Sequence, residues 1–236
     1  MSLGSPRVHR RQTGSSNADA RALALAGAPH GTLVTASEQT AGRGRNGRSW
    51  HAPAGSALLC SLILRAFPRT GEQTPLLSLA AGVAVAEAVG ERALLKWPND
   101  VLLPQPGTGD PRKVGGILVE ARPREAWAVV GIGLNVAVRV AELPPELAGS
   151  AGTLGLERSA IEPLLERLLA TLEHWLERSP SEVLDAWRAR DALLGRPLRW
   201  DGGTGVGRGV DDKGHLLVDS GTARHVLDAG EVHLGA

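Results

Sequence analysis

The 236-residue chain contains no tyrosine, one phenylalanine, one methionine and a single cysteine. One cysteine, Cys60, excludes an internal disulfide framework and a cysteine-rich zinc site. Charge of one sign is also missing in excess: 26 Lys and Arg face 25 Asp and Glu, a net charge of +1. That balance argues against a strongly basic nucleic-acid coat. No apolar run approaches the roughly 18–20 residues needed to cross a bilayer. The basic first dozen residues, Met1 to Gln12, have no apolar stretch behind them, as a secretory signal requires. Lysine is scarce at three residues (Lys96, Lys113, Lys213) against 23 arginines, and none of the three is followed by Ser or Thr. A Walker A loop is therefore absent, as are H-E-x-x-H and G-x-S-x-G. The expectation is a cytoplasmic protein with an ordinary globular composition, 42% hydrophobic and 22% charged.

What is present reads as α+β. The first dozen residues read as a frayed start, followed by a helix over Ala18–Ala26 capped from the Ser15–Asn17 stretch. Strands are expected at Thr32–Ala36 and Ala57–Leu64, with Cys60 in the core. Between them, Glu38–Gly55 has no periodicity and reads as loop. A nearly all-apolar central helix should follow Pro75, from Leu76 to Val89. Short strands at Leu94–Trp97 and Val101–Leu103 flank Pro98-Asn99-Asp100, and Pro104–Arg112 reads as a surface turn. Val114–Ala121 and Trp127–Asn135 form two further strands. Ser159 and Glu162 fit a capping box opening an amphipathic helix that runs to Leu176. Another helix is expected over Glu182–Leu194, started by Ser181 and closed by Gly195. From there the chain becomes Gly-rich and β-like. A boundary near residue 191 divides residues 1–190 from a small β module, 191–236.

Four stretches carry chemistry. Gly42-Arg43-Gly44-Arg45-Asn46-Gly47-Arg48-Ser49-Trp50 spells G-x-G-x-x-G at its glycines, but no helix start follows, so a dinucleotide fold is not indicated. Its three guanidiniums and its glycines suit a triphosphate, by bidentate contacts and close backbone approach. An RNA contact of the Arg/Gly type is the alternative. Lys96-Trp97-Pro98-Asn99-Asp100 places a rare lysine beside a rigid turn and two oxygen-bearing side chains. Lys113-Val114-Gly115-Gly116-Ile117-Leu118 and Gly131-Ile132-Gly133-Leu134-Asn135 put glycines inside strands, where they mark close approach of another group.

In this order, the four stretches resemble those of the biotin protein ligases: G-R-G-R-x-G-R-x-W, K-W-P-N-D, K-x-x-G-I-L and G-I-G-x-N. The resemblance covers about residues 8 to 234. It implies an α+β catalytic domain with a mainly antiparallel sheet, like that of class II aminoacyl-tRNA synthetases, followed by an SH3-like barrel. The reaction implied is ATP-dependent formation of biotinyl-5′-AMP, then transfer of biotin to a lysine of the carrier domain of acetyl-CoA carboxylase. Mg would accompany the ATP, with Asp100 as a candidate ligand.

By the same resemblance, Lys113 and Arg45 are catalytic. Biotin contacts fall on Ser15, Ser16, Asn17, Gln39, Gly42, Arg43, Gly44, Arg45, Trp50, Lys113, Gly115 and Gly116, with Ser16 in place of the family's threonine. ATP contacts fall on Arg43, Arg45, Arg48, Trp97, Asn99, Asp100 and Asn135. No helix-turn-helix segment precedes the first motif, so a ligase without repressor function is expected, binding neither DNA nor membrane, as a monomer or homodimer. A lipoate-type ligase, sharing the acyl-adenylate chemistry, is the runner-up.

Overall fold

A computed structural model describes residues 3–65, 74–107 and 110–235. The elements in chain order are β1 (Arg7–Arg10), α1 (Ser16–Leu25), β2 (Leu33–Ala36), β3 (Ala57–Arg65), α2 (Thr74–Val89), β4 (Leu94–Lys96), β5 (Asp100–Leu103), β6 (Arg112–Arg122), β7 (Trp127–Asn135), α3 (Pro145–Ala148), α4 (Ile161–Leu176), α5 (Pro180–Arg188), β8 (Pro197–Trp200), β9 (Gly203–Val210), β10 (Leu216–Ser220), β11 (Ala223–Leu227) and β12 (His233–Leu234).

Seven strands form one sheet in the order β1-β2-β3-β7-β6-β5-β4. Only the β1–β2 pair is parallel; every other neighbouring pair is antiparallel. Alternation along the strands sends successive side chains to opposite faces. On β3, Leu58, Cys60, Leu62 and Leu64 enter the large core beneath α2, α4 and α5. Ile63 enters a smaller core beneath α1, with Ala20, Ala24, Val34, Trp127 and Val129. Burial pushes the Cys60 thiol up to about 12. It is a packed apolar group and not a nucleophile.

The five remaining strands form a second antiparallel sheet, β11-β10-β9-β8-β12. Its inward residues Leu198, Val210, Leu216, Val218 and Val232 belong to the same apolar cluster as α2 and α4. The module is thus fused to the larger layer by shared core. Trp97 also joins the two: its buried indole N–H donates to Gly214 O at 3.0 Å.

Three local expectations are corrected. The N-terminal segment is not frayed: Arg7–Arg10 pairs with Leu33–Ala36, and Arg7 grips Glu162 with both guanidinium arms. Glu162 is therefore not part of a capping box; α4 follows a 3-10 turn at Arg158–Ala160, and its first residue is preceded by Ala160 with no side-chain cap. The capping box lies at α5 instead, where Ser179 and Glu182 bond reciprocally. Finally, α5 stops at Arg188 rather than Leu194. Beyond it the backbone turns to bond with β4, Leu95 N donating to Arg190 O and Ala192 N to Leu95 O.

The Arg/Gly stretch is a short hairpin rather than featureless loop. Trp50 N donates to Gly42 O at 2.9 Å and Gly44 N to Arg48 O at 2.7 Å. The reversal falls on Asn46-Gly47, both in the left-handed region at φ 53° and 73°. Asn-Gly is the dipeptide that tolerates this best.

Candidate active site

The sheet face that carries α1 opens into a cavity beside the start of α1. Gly131 and Gly133 on β7 pair across with Leu118 and Gly116 on β6, so these positions share that face. A Cβ on Gly131 would lie 2.7 Å from Asn17 Cγ, and one on Gly133 would lie 2.7–3.0 Å from the Trp50 indole. The strand glycines thus make room for Asn17 and Trp50, which line a cavity of about 810 Å³. The rest of the wall comes from the N-terminus of α1 (Ser15, Ser16), Gln39, the hairpin (Arg43, Gly44, Arg45, Arg48), the β4–β5 turn (Lys96, Trp97, Asn99, Asp100) and β6 (Lys113, Gly116).

Cations dominate the lining. Arg43, Arg45, Arg48, Lys96, Arg112 and Lys113 face three carboxylates, Asp100, Asp110 and Glu231. Asp100 is the central counterion: its Oδ1 is 2.6 Å from Lys113 Nζ and its Oδ2 3.7 Å from Lys96 Nζ. Burial lowers the pKa of Lys96, partly offset by Asp100 and reinforced by Lys113 and Arg48. Burial likewise lowers that of Arg45, with Asp100 opposing. Such a partly desolvated, net-positive cleft is built for a polyanion. The Lys113 ammonium also stands 5.8 Å from the centre of the Trp50 ring. The indole Nε1 of Trp50 is buried without a hydrogen-bond partner.

The four motifs converge on this cavity, but five of the expected residues act on the protein itself. Gly42 does not line the cavity; a Cβ there would lie 3.1 Å from the Gln39 amide and press on Trp50 O, so it is required for the hairpin to close. Gly115 faces the core side, where a Cβ would meet Leu134 and lie 3.2 Å from Gly133 O. It makes room for packing and not for a ligand, whereas Gly116 opens the cavity. Asn135 is buried, and its Nδ2 donates to Gly152 O at 2.9 Å, away from the lining. Asn99 touches the cavity but spends its amide on Ile117 O at 2.7 Å, pinning the β4–β5 turn to β6. Trp97 reaches the cavity wall while its N–H anchors Gly214.

Sequence reasoning missed the contribution of the small module. Glu231, Val232, His233 and Leu234 close one end of the cavity, and Glu231 forms an ion pair with Arg48 of the hairpin. His233 is held below its ordinary pKa by burial first, then by Lys96, Arg48 and Arg199. No motif marks these positions, which are brought in by the fold from nearly 200 residues away.

Known proteins resemble this chain in sequence and in fold. Residues 7–136 match the biotin/lipoate A/B protein ligase family. The chain is 37% identical over 238 residues to a biotin–[acetyl-CoA-carboxylase] ligase of Mycobacterium tuberculosis, covering 94% of this chain and 86% of that one. It is 35% identical over 246 residues to the ligase of the same name from Paracoccus denitrificans, covering 95% and 98%. Among solved structures, the biotin protein ligase from Aquifex aeolicus in complex with biotin and ATP superposes with a TM-score of 0.79 at 28% identity, covering 98% of this chain and all of that one.

Proposed function

This chain belongs to the biotin/lipoate A/B protein ligase family, and we propose that its cavity joins biotin to ATP and passes the biotinyl group to a lysine of the biotin carrier domain of acetyl-CoA carboxylase. A biotin carboxylate oxygen attacks the α-phosphorus of ATP; the α–β bridging bond breaks and pyrophosphate leaves. The lysine amine then attacks the acyl carbon of biotinyl-5′-AMP, and AMP departs with the bonding pair while the amine gives up its proton.

The observation that carries this reading is the union, in one cavity, of an uncharged pocket and a cationic cleft. Ser15, Ser16, Asn17 and Trp50 line the former; Arg43, Arg45, Arg48, Lys96 and Lys113 line the latter. Bringing a carboxylate onto a triphosphate costs repulsion, and fixed cations offset it without reorganising during the reaction. Arg43 and Arg48 take the outer phosphates. Arg45 and Lys113 act at the reacting centre, where charge develops on the α-phosphate oxygens. Lys113 comes from β6 and Arg45 from the hairpin, so closing the hairpin assembles the site and excludes water from the mixed anhydride. Alignment of the two substrates supplies much of the remaining acceleration.

Magnesium would enter on the ATP phosphates and neutralise part of their charge. Among the described residues no three His, Cys, Asp or Glu side chains gather into a metal cage. Asp100 already faces two lysines. The donor set fits an ion held chiefly by phosphate oxygens and water, with Asp100, between the two lysines, as the candidate protein carboxylate. The reading is tested by supplying biotin and ATP and following pyrophosphate release. Release that needs biotin, and then biotin transfer to a purified carrier domain, is the expected outcome; pyrophosphate release with lipoate but not biotin would redirect it.

A further inference from the structure

Ser61 lies on β3, on the face that carries α1, and is completely buried. It belongs to none of the four motifs. Glu120 lies near the end of β6, and the two are joined through Asn17. Asn17 Nδ2 donates to Glu120 Oε2 at 2.9 Å and to Leu118 O at 3.2 Å. Its Oδ1 is 2.6 Å from Ser61 Oγ, and Ser61 Oγ is 2.8 Å from Ser16 Oγ.

We propose that Ser61 and Glu120 are positioning residues that, through Asn17, fix the direction of the Ser16 hydroxyl and make it a hydrogen-bond acceptor toward the cavity. Each step follows from the donor inventory. A carboxylate and a carbonyl only accept, so the Asn17 amide cannot be reversed without setting its oxygen against two acceptors. Its oxygen therefore faces Ser61 and has no proton to give. The single Ser61 proton goes to Asn17, which leaves Ser61 able only to accept from Ser16. The single Ser16 proton is spent inward, and what Ser16 offers the cavity it lines is a lone pair. Arg21 Nη1, 3.7 Å from Glu120 Oε1, supplies the countercharge at the far end.

A Ser16 oxygen that can only accept selects a ligand edge that donates. This rests on the biotin reading above: the ring N–H groups of a cyclic urea satisfy it, whereas a dithiolane ring leaves the buried lone pair dry. Sites built around a specific hydrogen bond reject analogues that lack it more strongly than apolar pockets reject a change of size. The relay would therefore set the preference for biotin over an acid of similar chain length without a donor-bearing ring.

The test is calorimetric titration of the full chain with biotin and, separately, with ATP, in the wild type and in Ser61→Ala, Glu120→Ala and Glu120→Gln. Thermal unfolding of each variant serves as the control. Both alanine variants are expected to weaken biotin about tenfold, one hydrogen bond's worth, with ATP affinity nearly unchanged. Glu120→Gln, whose Oε1 still accepts from Asn17, should stay close to wild type. Glu120 is partly exposed, so its variants remain informative even if Ser61→Ala fails to fold. Unchanged biotin affinity in folded alanine variants would overturn the relay, as would equal losses for biotin and ATP. Glu120→Gln falling as far as Glu120→Ala would overturn the acceptor role given to Glu120. A wild type that does not bind biotin would instead overturn the reading of the substrate.

Discussion

Replacing Lys113 with alanine separates the chemistry from the fold. The Lys113 side chain is 36% exposed and its structural partner is Asp100, which retains Lys96 at 3.7 Å when Lys113 is gone. An ion pair this open to solvent contributes about 1 kcal/mol or less, so thermal unfolding should shift little. The catalytic loss should be far larger. If Lys113 stabilises charge developing at the α-phosphate, its removal costs about 10²–10³ in rate, on the order of 3–4 kcal/mol. Part of that loss comes from Asp100, left facing the phosphates with weaker compensation. Asp100→Asn in the Lys113→Ala background should therefore recover some ATP affinity without restoring the rate. Single-turnover formation of biotinyl-AMP, measured by rapid quench and chromatography, reads the chemical step directly. A folded Lys113→Ala enzyme within about tenfold of wild type would refute the role given to this lysine.

Three further outcomes follow from the packing and electrostatics. Gly131→Ala would press a methyl onto Asn17, which is held by Ser61, Leu118 and Glu120; it should cost about 1–3 kcal/mol of stability and abolish biotin binding, and normal biotin affinity in a titration would contradict the placement of Asn17 at the pocket. Trp97→Phe removes the donor to Gly214 O and leaves that carbonyl buried, so urea unfolding should report a loss of about 1–3 kcal/mol; wild-type stability would show that this bond does not anchor the small module. Burial without a partner for Oδ2 raises Asp191 from 3.8 to about 6. Because the folded value is the higher one, stability from this group is complete below about pH 4 and is lost as pH rises through 6, about 3 kcal/mol in all. Urea midpoints across that range should fall for wild type relative to Asp191→Asn, and parallel curves would refute the assignment.

The chemistry was legible where it is written in contiguous residues. The four motifs each place their side chains through local geometry, a hairpin, a turn or two paired strands, and all four open on the same cavity. Patterning was equally clear for α2, apolar nearly all round because it packs between α4, α5 and the sheet. Legibility failed where a distant partner decides. Arg7–Arg10 has no apolar alternation, being a mostly exposed edge strand held by β2 and by Glu162. The same Glu162 looked like a capping residue because the sequence does not reveal that Arg7 claims it. Gly115 and Gly116 are neighbours with opposite tasks, and only the β6–β7 register tells which one faces the cavity. Glu231 and His233 carry no motif, and reach the cavity because the second sheet shares its core with the first.

If this cavity makes an acyl-adenylate from biotin, mass spectrometry of the purified protein incubated with Mg-ATP and biotin, lipoate or no acid will show biotinyl-5′-AMP with biotin alone. Adenylate formed from lipoate, or none from either acid, would contradict that chemistry.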